Sequence, residues 1–207
     1  MYLSKLTLDP RHPQARCDLS NRYDMHRTLV RAFAPDEHSQ PARFLWRLEP
    51  MLSLASRPVV LVQSGSPAQW SALDAFPGYA QEILGNKPVD LEQLVQAGTR
   101  YRFRLHANPT VTRVGKRLGL CQEADQLAWL NRQAETRGFN LIACLRSGSE
   151  RIHARQGKSG QRITVQSVLF EGMLETNEPD GLRLAVRNGL GHGKAWGLGL
   201  LSLARMA

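Results

Sequence analysis

Tyr23 and His26, one helical turn apart in the run R-Y-D-M-H-R (22–27), carry side chains suited to moving a proton at neutral pH. An imidazole with an ordinary pKa of about 6.5 can give or take a proton there, and a neighbouring phenol can orient a phosphate or share the proton traffic. On a helix turning by about 100° per residue, Met25, Leu29, Ala32 and Phe33 form the apolar stripe. His26 borders that stripe, Tyr23 lies one turn earlier beside it, and Arg27 and Arg31 follow on the more exposed side. The pattern fits general acid–base work on a polyanion. It fits equally a histidine that only packs at the edge of an amphipathic helix.

Two further runs offer groups for phosphate. Gln156-Gly157-Lys158-Ser159-Gly160 sets a lysine between glycines, where it can reach a phosphate or simply form a surface turn. It is not an ATP-binding loop, because Ile152 stands where the upstream glycine is required. Gly189 to Gly199 (GLGHGKAWGLG) holds His192 and Lys194 in a glycine-rich connection whose backbone N–H groups can cradle phosphates. This loop precedes a strand instead of following one, so it is not a dinucleotide fingerprint. The six histidines show no i, i+4 pair and no H-E-x-x-H, and G-x-S-x-G is absent. No metal, cofactor or serine nucleophile is expected.

The charge is unbalanced in the direction a polyanion rewards. Twenty-seven Lys and Arg face eighteen Asp and Glu, a formal net charge of +9. Six basic residues and no acidic one lie between Arg100 and Gln122: Arg100, Arg102, Arg104, Arg113, Lys116 and Arg117. Four more, with none acidic, lie between Arg151 and Phe170: Arg151, Arg155, Lys158 and Arg162. Segregation of this kind predicts a positive stripe that gains from counterion release on binding nucleic acid. No run approaches the roughly 20 apolar residues of a membrane span. Cys17, Cys121 and Cys144 form no C-x-x-C pair, which favours a reducing cytoplasm over a disulfide framework.

The elements that must position these groups read as mixed α and β. Strands are expected at 2–8, 42–49, 58–63 and 101–108, with a helix capped by Ser20 or Asn21 and running to Phe33, and a short helix at 66–73. In the strand 101–108, Arg102, Arg104 and His106 share one face. That order, β-α-β-β-(α)-β, is the order of a ferredoxin-like or RRM-like domain. A second unit follows: a helix at 123–136 closed by Gly138, strands at 139–145 and 163–174, a helix at 180–188 and a last strand at 198–203. The expected fold is α+β, two tandem domains over 1–112 and 113–207, with the boundary in the polar stretch 110–122.

Taken in order, MYLSKLTLD, YRFRLHANPT, EADQLAWL, GKSG, VLFEGMLE and GLGHGKAWGLGLLSLA resemble the CasE family, the CRISPR repeat endoribonuclease of the type I-E Cascade complex. The resemblance implies two ferredoxin-like domains and a metal-independent RNase in which a ribose 2′-OH attacks the adjacent phosphate, leaving a 2′,3′-cyclic phosphate and a 5′-OH. It implies His26 as general base or acid, Tyr23 beside it as in some members, and Lys158 against the phosphate. It implies a CRISPR repeat stem-loop held by Arg27, Arg102, Arg104, Arg113, Lys116, Arg117, Arg162, His192 and Lys194, with the other Cascade subunits as partners. The alternative within that resemblance is a non-catalytic subunit that only binds the hairpin. One departure stands out: the 110–122 connection is short and lacks the longer basic insertion some members carry.

Overall fold

A computed structural model describes residues 1–34, 40–51, 53, 55–156 and 161–206, with backbone alone at 154–156 and 161–163. In chain order the elements are β1 (Tyr2–Leu8), α1 (Pro13–Ser20), α2 (Arg22–Val30), β2 (Phe44–Leu48), β3 (Val59–Ser64), a 3-10 helix (Trp70–Ala75), β4 (Ala80–Pro88) and α3 (Leu91–Leu94). There follow β5 (Arg100–Ala107), β6 (Thr110–Arg113), β7 (Lys116–Gly119), α4 (Glu123–Glu135), β8 (Phe139–Gln156), β9 (Gln161–Thr176), α5 (Pro179–Asn188) and β10 (Leu201–Arg205).

One sheet has the order β2-β3-β1-β4, with β1 antiparallel to both of its neighbours. α1 and α2 connect β1 to β2, and the 3-10 helix stands where a second helix connects β3 to β4. The other sheet has the order β10-β5-β9-β8. There α4 connects β5 to β8, and α5 connects β9 to β10. Both are the β-α-β-β-α-β connectivity of a ferredoxin-like fold, made twice. The chain forms two compact units: 1–89 with 154–163 and 195–197, and 90–153 with 164–194 and 198–207.

Burial explains the first unit's helices. Met25 and Leu29 of α2 pack with Leu6, Leu8, Trp46, Val60 and Val62 in one apolar core. α1 was not legible as a helix: its cap is His12, whose ring accepts from Gln14 N at 3.1 Å, and Pro13 occupies the first turn. Only Ala15 and Asp18 of it are buried, so no apolar stripe marks it.

The strand read from the sequence as the fourth of the first domain belongs to the second sheet. β5 pairs with β9 from Arg100↔Glu175 to Ala107↔Val168, and with β10 around Leu201↔Leu105. The place it was expected to fill is taken by β4, which carries Gly85, Asn86, Lys87 and Pro88 and is bulged against β1. Such an edge strand lacks the alternation by which strands are recognised. The stretch 110–122, expected as a connection, contains the β6–β7 hairpin, turned by Val114 and Gly115 at φ 48° and 71°.

Candidate active site and basic surface

α2 is placed by its N-terminus. Asn21 caps it, its side-chain oxygen accepting from Tyr23 N at 3.2 Å while its amide donates to Asp24 Oδ2 at 2.8 Å. From beneath, the fully buried Asp18 carboxyl accepts from Thr28 Oγ1 at 3.1 Å, Gln14 Nε2 at 2.8 Å and Tyr79 Oη at 2.7 Å. Burial raises the Asp18 carboxyl above its ordinary value in spite of these donors.

His26 is half-buried at the edge of that helix, its ring stacked on Phe44 with centroids 5.3 Å apart, and Phe44 in turn stacked on Phe33 at 4.4 Å. Its Nδ1 is enclosed with no hydrogen-bond partner. Burial pulls the imidazole below its ordinary value, which favours the neutral ring. The neutral ring is the proton-accepting form, while burial makes its charged form costly.

Tyr23 lies 5.9 Å, centroid to centroid, from the Trp196 ring. Next to Trp196, Gly197 sits at φ 73° against Trp46, where a Cβ would stand 2.7 Å from the indole. The Arg22 guanidinium is 5.9 Å from the same Trp46 ring. The sequence singles out Tyr23 and His26 as candidates, and both lie on α2. Sequence reading missed the aromatic set Phe44, Trp46 and Trp196, because nothing in the sequence ties 44–46 and 196 to the helix at 22–30. Arg27 is exposed on α2, with Asp24 at 3.9 Å. Lys158 lies outside the described residues, and so does the side chain of Arg162.

In the second unit the expected positive stripe is interrupted. Arg102 is exposed on β5, but Arg104 is held by Glu171 at 2.7 Å and Arg100 by Glu175 at 2.7 Å. The absence of acids along 100–122 does not carry into space, because the β5–β9 register sets β9 carboxylates opposite β5 arginines. His106, expected on the same face as Arg102 and Arg104, is buried with Nε2 2.6 Å from Ser167 Oγ. Arg113, Lys116 and Arg117 are exposed on the β6–β7 hairpin.

The glycine-rich loop meets that hairpin's base. His192 and Asn108 form a β-bridge, and Lys194 Nζ donates to Gly191 O at 2.8 Å. Burial first, then the charges of Arg117 and Lys194, lowers the His192 pKa. A cleft of about 420 Å³ is lined there by His192, Lys194, Thr112, Trp129, Gln133 and Arg137. Arg117, His192 and Lys194 are therefore brought together, and Arg137 joins them unforeseen, from the residue just beyond the C-cap of α4. Among the described residues no helix is long and apolar enough to cross a membrane.

Residues 1–205 match the family described as CRISPR associated protein. The chain belongs to this family. The CRISPR-associated endoribonuclease Cse3 of Thermus thermophilus is 42% identical over 99% of this chain and 100% of its own length. The CRISPR system Cascade subunit CasE of Escherichia coli is 29% identical over 99% of each chain. The structure of Thermus thermophilus Cse3 bound to an RNA representing a pre-cleavage complex superimposes with a TM-score of 0.88, at 41% identity over 98% of both chains. The tandem ferredoxin-like architecture of this CRISPR associated protein is thus that of solved relatives. The chain spans its relatives end to end, so the α2 residues and the glycine-rich loop described above fall within the matched length.

Proposed function

We propose that this CRISPR associated protein is an endoribonuclease that cleaves CRISPR precursor transcripts at the repeat stem-loop and stays on the product as a Cascade subunit. The single observation that carries the chemistry is His26: a half-buried imidazole stacked on Phe44, its Nδ1 enclosed without a partner, beside Tyr23 on a capped helix. In the proposed step the ribose 2′-oxygen forms a bond to the adjacent phosphorus, and the bond from phosphorus to the 5′-oxygen breaks. The 2′-OH proton passes to a base and the departing 5′-oxygen gains a proton, with His26 filling one of these roles. Tyr23 orients the phosphate, and Lys158 offsets its developing charge.

Arg27, Arg102, Arg113, Lys116, Arg117, Arg162, His192 and Lys194 hold the RNA in this reading, and Arg104, already paired with Glu171, adds least. Shape and phosphate contacts are the means available, because side chains do not enter the deep A-form major groove readily. The three free thiols, Cys17, Cys121 and Cys144, are in keeping with work in the cytoplasm.

The test is incubation with the host's repeat RNA in excess EDTA, beside the same RNA carrying a 2′-deoxy at the scissile nucleotide. One cut in the all-RNA substrate, abolished by 2′-deoxy, is expected. Tight hairpin binding with no cut would make the chain a non-catalytic hairpin-binding subunit.

A further inference from the structure

A second cleft, of about 310 Å³, opens in the unit built on β5, β8 and β9. Arg117, Arg151 and Thr164 stand at its exposed rim, while Asn108 and Val165, each more than nine-tenths buried, form its floor. An enclosed amide oxygen almost always finds a donor in a folded protein. Asn108 Oδ1 is enclosed and has none.

The neighbours that could supply one are turned elsewhere. Gln166 Nε2 donates to Ser149 Oγ at 2.8 Å, and Thr164 Oγ1 is engaged with the His153 ring at 3.1 Å. Arg151 Nη2 points to Cys121 Sγ at 3.7 Å. The wall is closely packed, a Cβ on Gly119 standing 3.0 Å from Gln166 Cβ, so shifting the hairpin does not satisfy the amide cheaply.

The cleft therefore asks for a ligand with two ends: an anion for the guanidinium pair at the rim, and a hydrogen-bond donor that reaches the floor. Its volume is at the lower end of the roughly 300–1,000 Å³ of small-molecule sites. A nucleotide has that form. We infer that this cleft takes one unpaired nucleotide of the bound RNA, its phosphate against Arg117 and Arg151 and its base inserted over Val165, an exocyclic amine donating to Asn108 Oδ1 as that side chain turns towards the cleft. The nucleotide is unpaired because pairing in a stem engages that amine and stacks the base away from a protein floor, whereas a splayed base offers its edge and stacks on a guanidinium plane. Bases with an amine are favoured over uracil, which presents a carbonyl at the matching position. The inference rests on RNA as the substrate proposed above.

The decisive variant is Asn108→Leu, which keeps the volume and removes the orphan oxygen. If the orphan oxygen serves no ligand, that variant has a melting temperature at or above wild type and no change in binding. As a nucleotide site, the cleft binds AMP about tenfold more tightly than UMP in NMR titrations, and Asn108→Leu erases the difference, as expected for one lost hydrogen bond. In a scan of abasic substitutions through the repeat RNA, one unpaired position costs wild type about tenfold in affinity and costs Asn108→Leu nothing further. Cleavage of the repeat RNA with both arms flat would overturn the cleft and leave the nuclease reading standing. AMP discrimination lost in Asn108→Leu, with no cleavage of the repeat RNA, would support the cleft and sink the nuclease reading.

Discussion

Phe44 lies against His26 with ring centroids 5.3 Å apart and planes 26° from parallel. The contact joins β2 to α2 and turns one imidazole nitrogen into the protein, where Nδ1 has no partner. A ring so placed is costly to protonate, because its charge would be taken out of water without a counter-ion.

His26→Ala is expected to slow cleavage of the repeat RNA by about 10²–10⁴-fold, as for a lost general acid–base group, while hairpin affinity stays at the wild-type value. Single-turnover rates and a binding isotherm separate the two. Affinity falling in step with rate would make His26 a packing residue.

The lowered His26 pKa has a definite sign in stability. The folded state binds this proton less readily than the unfolded chain, so stability from this group is complete above about pH 6.5 and is lost as pH falls from there through the folded value. Urea unfolding of wild type and His26→Gln from pH 7.5 to 5 is expected to show wild type losing more. NMR of the ring is expected to give a midpoint below 6.5. A midpoint at or above 6.5 would mean that the enclosed nitrogen is solvated.

Gly197→Ala introduces a Cβ 2.7 Å from the Trp46 ring at a φ of 73°. Overpacking and left-handed strain together are expected to cost about 1–3 kcal/mol, seen as a lower melting temperature. Quenching of indole fluorescence should change with it, as Trp46 and Trp196 are displaced. An unchanged melting temperature would show that the loop yields freely.

Much of the fold was legible because periodicity and caps agree with packing. The helix at 123–135 and the strand at 2–8 are examples, and Asn21 at the head of α2 was named from sequence as one of two possible caps. Of the candidate site, the placing of Tyr23 and His26 on one helix was legible, because their spacing is local. What stayed hidden depends on register. Glu171 and Glu175 lie some 70 residues from the arginines they neutralise, so a count along the chain could not find them. β4 escaped for a different reason: an edge strand with Gly85 and a left-handed Asn86 has little pattern to read.

The β5–β9 pairing makes two arginines of that count unequal in effect. Arg117→Ala is expected to lower the slope of log affinity against log salt by about one, the value of one phosphate contact. Arg104→Ala changes it little, because Glu171 already neutralises that guanidinium, and Glu171→Gln steepens the slope. Equal slopes for Arg104→Ala and Arg117→Ala would mean that RNA displaces the carboxylate.

Asp18 links α1, α2 and β4's neighbourhood through Gln14, Thr28 and Tyr79, and it does so as a fully buried carboxyl with a raised pKa. The folded state therefore holds this proton more tightly than the unfolded chain does. As pH falls from 7 through the raised value, stability from this group grows, and it levels off below the ordinary value of 3.8. Asp18→Asn removes the titration but keeps an acceptor. The stability of wild type relative to Asp18→Asn should thus increase on acidification, measured by urea unfolding at matched pH, against the general trend of acid destabilisation. A difference constant with pH would show the carboxyl titrating as in the unfolded chain. Asp18→Ala, in contrast, leaves the Tyr79, Thr28 and Gln14 donors without their acceptor at about 1–3 kcal/mol each, and α2 loses the support that holds His26 against Phe44.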